Sequence, residues 1–213
     1  MQTGGIIYMK NTNVKDKIMD ITTKLIEECA SIENVTIRDI ASKADVGVGL
    51  INYHFQTKEN LINQCVQKII GNIISKFDAL YQGLTLEPLD KLRFLAKSTC
   101  SFLAQNQGIS RTSILSDLFA GNSSDNTSQT MKAYLPVIRE ICGESKSDKE
   151  LYLSTHIFIT TLQSAFLRRD VLMQNAEVDF YNTQQREEFI DMVVKIIFND
   201  ISEGKSPTSI IGS

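Results

Sequence analysis

Residues 36–61 read TIRDIASKADVGVGLINYHFQTKENL, and the architecture of the chain follows from this stretch. Thr36 stands where a helix N-cap belongs, and Asp39, three residues on, completes an acidic capping box. Ile37, Ile40, Ala41 and Ala44 then share the inner face of a short helix over about 37–44. Asp45, Val46 and Gly47 form a turn, and another short helix follows to about Tyr53. Ile40, Ala41 and Ala44 make a miniature core with Val46, Leu50 or Ile51 only if the two helices cross closely, and Ala41 is small where that crossing needs room. A helix pair of this size has the dimensions of a helix-turn-helix, whose second helix offers its N-terminal residues to the major groove.

Reading outward, helical periodicity recurs and strand signals are nearly absent. Upstream, a first helix is expected from Asn13 as cap, with Val14, Ile18, Ile21, Leu25 and Ile26 in one stripe, ending in a gap at Ser31–Val35. Downstream, Thr57 caps a fourth helix of roughly 22 residues through Leu61, Cys65, Ile69, Ile73 and Phe77. Gly83 and Pro88 bracket a turn before a fifth helix with Leu92, Leu95, Thr99, Phe102 and Leu103. A sixth is expected over about 109–120, a loop over 121–128, and further helices at about 129–142, 148–173 and 184–202. The fold class is therefore all-α, with about nine helices: a three-helix N-terminal head with the helix-turn-helix, joined by the long fourth helix to a helical bundle. The boundaries expected are 9–56 for the head, 57–204 for the body and 205–213 for a flexible tail. Either Met1 or Met9 serves as a natural start.

Composition limits the function classes. Of 213 residues, 42% are hydrophobic and 22% charged, which is ordinary globular composition. The net charge is -3, and residues 1–62 hold seven Lys or Arg against eight Asp or Glu, one net negative charge. Any DNA contact must rest on local placement of cations. Cys29, Cys65, Cys100 and Cys142 are 36, 35 and 42 residues apart and only two histidines are present, so neither a disulfide framework nor a metal site is indicated. Reduced thiols and the lack of a secretory signal point to the cytoplasm. Residues 151–167 carry no charge, but His156, Gln163 and several hydroxyls suit a helix buried by protein rather than a membrane span. No nucleophile–base pair, metal cluster or cofactor loop is present, and Gly47-Val48-Gly49 follows no strand as a dinucleotide fingerprint would. The sequence reads as neither an enzyme nor a cofactor protein.

The stretch 36–61 also resembles the signature of the TetR family of transcriptional regulators, T-[IV]-R-D-I-A-x-x-A-G-V-S-x-G-x-x-Y-x-[HY]-F-x-x-K-x-x-L. Thr36, Arg38, Asp39, Ile40, Ala41, Ala44, Val46, Gly49, Phe55, Lys58 and Leu61 match in register. Asp45 replaces the usual glycine at a left-handed turn position, Gly47 the usual hydroxyl cap, and Asn52 a frequent tyrosine. The resemblance implies a head that binds palindromic double-stranded operator DNA and a body that dimerises and takes a small-molecule effector, most often as a repressor. An activator of the same fold, or a helical protein-binding adaptor, is the alternative.

Roles follow by position. Thr36, with the first-turn amides at Ile37 and beyond, suits a phosphate. Lys58, Tyr53 and His54 are placed for sugar-phosphate contact. Gly47 brings backbone close to DNA, and Arg38, Val48, Leu50 and Asn52 are placed for base edges. Phe77, Phe94, Phe102, Leu115, Phe119, Tyr134, His156 and Phe158 are candidates to line an effector pocket, with His156 or Gln163 as polar anchor. His156 otherwise reads as an interior histidine. The stripe Phe189, Met192, Val193, Ile196, Ile197 and Ile201, with the uncharged 151–167 segment, suits a four-helix isologous homodimer interface.

Overall fold

The computed structural model describes residues 4–28, 32–83 and 85–202. The expected tail, the start at Met1 and Cys29 lie outside the described residues. Ten α-helices are present among the described residues: α1 Gly4–Glu28, α2 Ile37–Ala44, α3 Val48–Phe55, α4 Lys58–Gln82, α5 Pro88–Gln105, α6 Gln107–Ala120, α7 Asn126–Cys142, α8 Asp148–Leu167, α9 Arg169–Ala176 and α10 Thr183–Ser202. Short 3-10 turns occupy Ile32–Asn34 and Gly143–Ser145. The described residues contain no strand.

Four boundaries differ from the sequence reading. Asn13 does not cap α1 but lies inside it, because nothing between Ile6 and Asn13 breaks a helix and Asn costs only a few tenths of a kcal/mol there. Residues 126–128 belong to α7, since the Asp125 carboxylate accepts the Ser128 N–H at 2.7 Å and starts the helix earlier. The single helix expected over 148–173 is two, α8 and α9, separated at Arg168 (φ -110°, ψ 24°) without proline or glycine. A single residue, Asn106, separates α5 from α6, its side-chain amide donating to the Phe102 carbonyl at 3.0 Å.

The chain divides into two compact units, residues 1–72 with 108–120 and residues 73–107 with 121–213. In the first, Ile18, Leu25 and Ile26 of α1, Ile40, Ala41 and Ala44 of α2, Ile51 and Phe55 of α3, and Leu61, Cys65 and Val66 of α4 are buried. Helix α6 supplies buried Ile114 and, unusually, buried Ser110, Ser113 and Asp117. The Asp117 carboxylate accepts the Gln67 amide at 2.7 Å, so this polar face is held rather than merely covered. Burial pushes the Cys65 thiol up to about 11.

In the second unit, α5, α7, α8 and α10 pack together, with α9 against α8. The core holds Leu92, Ala96 and Cys100 of α5, Val137 and Ile138 of α7, Leu151, Phe158 and Phe166 of α8, and Ile190, Val194 and Phe198 of α10. Phe158 meets Phe198 edge-on at 5.6 Å between centroids, and the Thr99 hydroxyl pairs with the buried Tyr134 hydroxyl at 2.7 Å. Lys97 of α5 bridges Asp191 at 2.9 Å and Glu187 at 3.4 Å on α10. Ser147 and Glu150 form a capping box that starts α8, which explains why that helix end was readable. Among the described residues no helix is long and apolar enough to cross a membrane.

Candidate nucleic-acid interface

Helices α2 and α3 owe their crossing to the turn between them. Asp45 holds a left-handed conformation (φ 51°, ψ 53°), which a short polar side chain tolerates better than most. Its neighbour Val46 donates to the Ala41 carbonyl at 3.0 Å. The chain thereby reverses within three residues and α3 begins at Val48, with Gly47 as an N-cap that makes no side-chain hydrogen bond. A Cβ added at Gly47 or Gly49 would meet nothing within 4 Å, so the backbone at the start of α3 is open to an incoming surface. Gly49 matches the signature in register, but sequence reading assigns it no DNA-contact role. Its outward placement became visible only once the inward positions of α3 were fixed.

Helix α3 is anchored from beneath by Ile51 and Phe55, both fully buried, and Lys15 lies over the Phe55 ring at 5.5 Å. Four residues later than Val48 and Gly49 come Asn52 and Tyr53, so these two pairs form adjacent outward stripes. Val48, Gly49, Asn52 and Tyr53 are all exposed, Tyr53 at 70%. Leu50 is half-buried at the flank. His54 is half-buried, its ring 5.1 Å from that of Tyr53, and its Nε2 is covered by protein without a hydrogen-bond partner.

On α2, the capping box is complete. Asp39 donates its N–H to the Thr36 hydroxyl oxygen at 3.2 Å, and the Asp39 carboxylate accepts from the Thr36 hydroxyl at 2.5 Å and the Thr36 N–H at 3.3 Å. The Thr36 hydroxyl is therefore committed to a carboxylate at this helix end. Ile37 is half-buried; Arg38 is exposed and makes no ion pair among the described residues. Lys43, by contrast, is neutralised by Glu28 at 3.2 Å. Helix α4 opens at Lys58, and Thr57 accepts the Asn60 N–H at 3.1 Å as expected of its cap. Lys58 also makes no ion pair among the described residues. Arg38, Lys58, Asn52, Tyr53 and the glycine-framed start of α3 thus all belong to one compact unit. The arrangement offers two unneutralised cations, an amide and open backbone.

Of the residues suggested for an effector pocket, the structure brings Tyr134 and Phe158 together, 6.1 Å between ring centroids. Leu115 and Phe119 belong to the first unit, and Phe119 is 90% exposed. Of those in the second unit, Tyr134 and Phe158 are buried, Phe102 is half-buried, and Phe94 and His156 are exposed. The side chain of Phe77 lies outside the described residues. His156 is not interior: it stacks on Tyr152 at 6.4 Å on an outward face of α8, because the uncharged segment has two apolar faces and only one is covered by its own chain. Gln163 donates to the Thr127 hydroxyl at 2.9 Å. Among the described residues no three His, Cys, Asp or Glu side chains converge as a metal site would require.

Residues 18–65 match the family model for bacterial regulatory proteins of the tetR family. The fold resembles that of RolR solved in complex with resorcinol, with TM-score 0.61 and 13% identity over 91% of this chain and 90% of that one. It also resembles a putative TetR-family transcriptional regulator from Mesorhizobium loti, with TM-score 0.57 and 15% identity over 89% of this chain and 96% of that one. FadR from Bacillus subtilis, solved with stearoyl-CoA, aligns with TM-score 0.51 and 18% identity over 87% of this chain and 98% of that one. No curated protein matches by sequence.

Proposed function

We propose that this chain, which carries a tetR-family helix-turn-helix head in a TetR-like all-helical fold, is a sequence-specific DNA-binding transcriptional regulator of the cytoplasm. The observation that carries the reading is the outward face of α3, where Val48, Gly49, Asn52 and Tyr53 stand exposed above fully buried Ile51 and Phe55. In this reading the head, residues 9–56, reads the major groove with α3. Asn52 and Arg38 address base edges, while Val48 and Leu50 touch thymine methyls. Lys58, Tyr53 and the α2 first-turn amides at Ile37 and Arg38 address the backbone. His54 supports the packing of Tyr53 rather than reaching DNA through its covered Nε2.

The body, residues 57–204, dimerises and takes a small hydrophobic or amphipathic effector. Exposed Tyr152, Leu153 and Ile157 on α8 and Met192 and Ile196 on α10 support a homodimer, since α8 and α10 pack together and Ile196 is 73% exposed. Two such pairs close an isologous four-helix contact. Two heads then meet half-sites one duplex turn apart, roughly 34–36 Å. Helix α4 runs on from the first unit, which holds it to residue 72, into the second. An effector that tilts it changes the head separation, and a coupling of ~1–3 kcal/mol suffices to release the operator. Genomic footprinting of the purified protein tests the function, with a protected palindrome as the result expected. Absence of any salt-dependent binding to duplex DNA would instead favour a protein-binding adaptor.

A further inference from the structure

Arg186 is 4% exposed, yet among the described residues no carboxylate pairs with it. Its Nη1 donates to the carbonyls of Phe180 at 2.9 Å and Tyr181 at 3.3 Å, and its Nη2 to the Thr183 hydroxyl at 3.3 Å. A guanidinium has five N–H donors and cannot be deprotonated in a protein. Three are therefore used and two remain, one on Nη2 and one on Nε, which is covered by protein and has no acceptor. The carboxylates nearest in sequence are engaged elsewhere: Glu187 with Lys97, Glu188 with the Gln184 amide, and Asp191 with Lys97 and Arg93. Cys100 on α5 feels the charge of Arg186, but burial pushes its thiol up to about 12, so it stays neutral.

The position compounds the cost. Arg186 is the fourth residue of α10, and the carbonyls it holds belong to the residues just ahead of that helix. A cation is thus kept at the positive end of a helix dipole, out of water and without a counter-ion. A clamp on the chain before α10 needs neutral donors only. A charged one is explained by an anion that completes it, because two N–H groups on neighbouring guanidinium nitrogens match a carboxylate in bidentate fashion.

We propose that Arg186 anchors the carboxylate of a hydrophobic organic acid taken up by the second unit. The inference rests on the reading that this unit binds a small effector, and it narrows that effector to an acid.

The test uses the full chain, with octanoate, decanoate and benzoate titrated beside their neutral amides by calorimetry. At least one acid is expected to bind saturably, and its amide at least roughly tenfold more weakly. In the 15N-labelled protein the Nε–H resonance that Arg186→Lys removes should move on saturation with that acid. Arg186→Lys keeps the charge but loses the fork, and should weaken the acid about tenfold while leaving the amide unchanged. If Arg186→Lys does not fold, specific labelling of the unaltered protein and its arginine Nε–H spectrum decide alone. Equal binding of acid and amide overturns the proposal, as does an unmoved Nε–H resonance at saturation or a failure of all three acids to bind. An acid that binds through Arg186 yet leaves DNA affinity unchanged supports this site and counts instead against the effector reading.

Discussion

Gln56 joins the last turn of α3 to the cap of α4 and holds φ 62° with ψ -51°. Thr57 donates its N–H to the Phe55 carbonyl at 2.8 Å across it, closing a three-residue γ-turn of the strained, positive-φ kind. The Gln56 side chain is exposed, so replacing it acts through the backbone alone. A non-glycine residue in so sparse a region costs about 1–3 kcal/mol. Glycine adopts it freely but gives back ~0.5–1 kcal/mol through the greater freedom of the unfolded chain. Gln56→Gly should therefore stabilise the protein by about 1 kcal/mol, the difference between the middles of those two ranges. Gln56→Ala retains the strain and should stay within about 0.5 kcal/mol of the natural chain. Urea titration at fixed protomer concentration measures both, since the stability of the proposed dimer would depend on concentration. If Gln56→Gly proves no more stable than Gln56→Ala, the strain assigned to this turn is not there.

Other expectations follow from single residues. Lys58→Ala should weaken operator and random duplex by similar factors and lower the salt slope by about 1, as phosphate contact requires; loss of operator binding alone would contradict that role. Ile196→Asp places a charge on an exposed apolar face of α10 and should turn the proposed dimer into a folded monomer in sedimentation, whereas unaltered self-association would remove this face from the interface. The Cys100 thiol is raised from 9.0 to about 12 in the folded chain. It therefore contributes stability that is whole below pH 9 and lost as pH rises toward 12, by ~1.4 kcal/mol per pH unit above 9. Urea unfolding at pH 8 and 10.5 should show that loss, and Cys100→Ala should reduce it; an identical pH dependence in the variant would refute it.

Local rules with an atomic mechanism were legible in the sequence. The Thr36–Asp39 capping box, the Asp45 left-handed turn, the weak Gly47 cap and the Thr57 cap each depend on one residue bonding its own neighbours, and each stands as the residue types imply. The inner faces of α2 and α3 were legible for the same reason, since Ile40, Ala44, Ile51 and Phe55 fall at helical spacing. What failed to show depends on partners distant in the chain. Nothing in residues 107–120 says that Ser110, Ser113 and Asp117 will be buried in the unit that contains α2 and α3. The uncharged run 151–167 promised burial on most sides, but a single chain covers one face, leaving His156 and Ile157 outside. The break at Arg168 has no local signature, and Asn52 and Tyr53 could be placed outward only because Ile51 and Phe55 point in.

Fluorescence anisotropy with Asn52→Ala, on the footprinted operator and on random duplex at matched salt, tests whether the exposed face of α3 reads base sequence. Operator binding is expected to weaken by about 1–3 kcal/mol while random-duplex affinity stays nearly unchanged and circular dichroism is intact. Equal loss on both duplexes, or no loss on the operator, would contradict it.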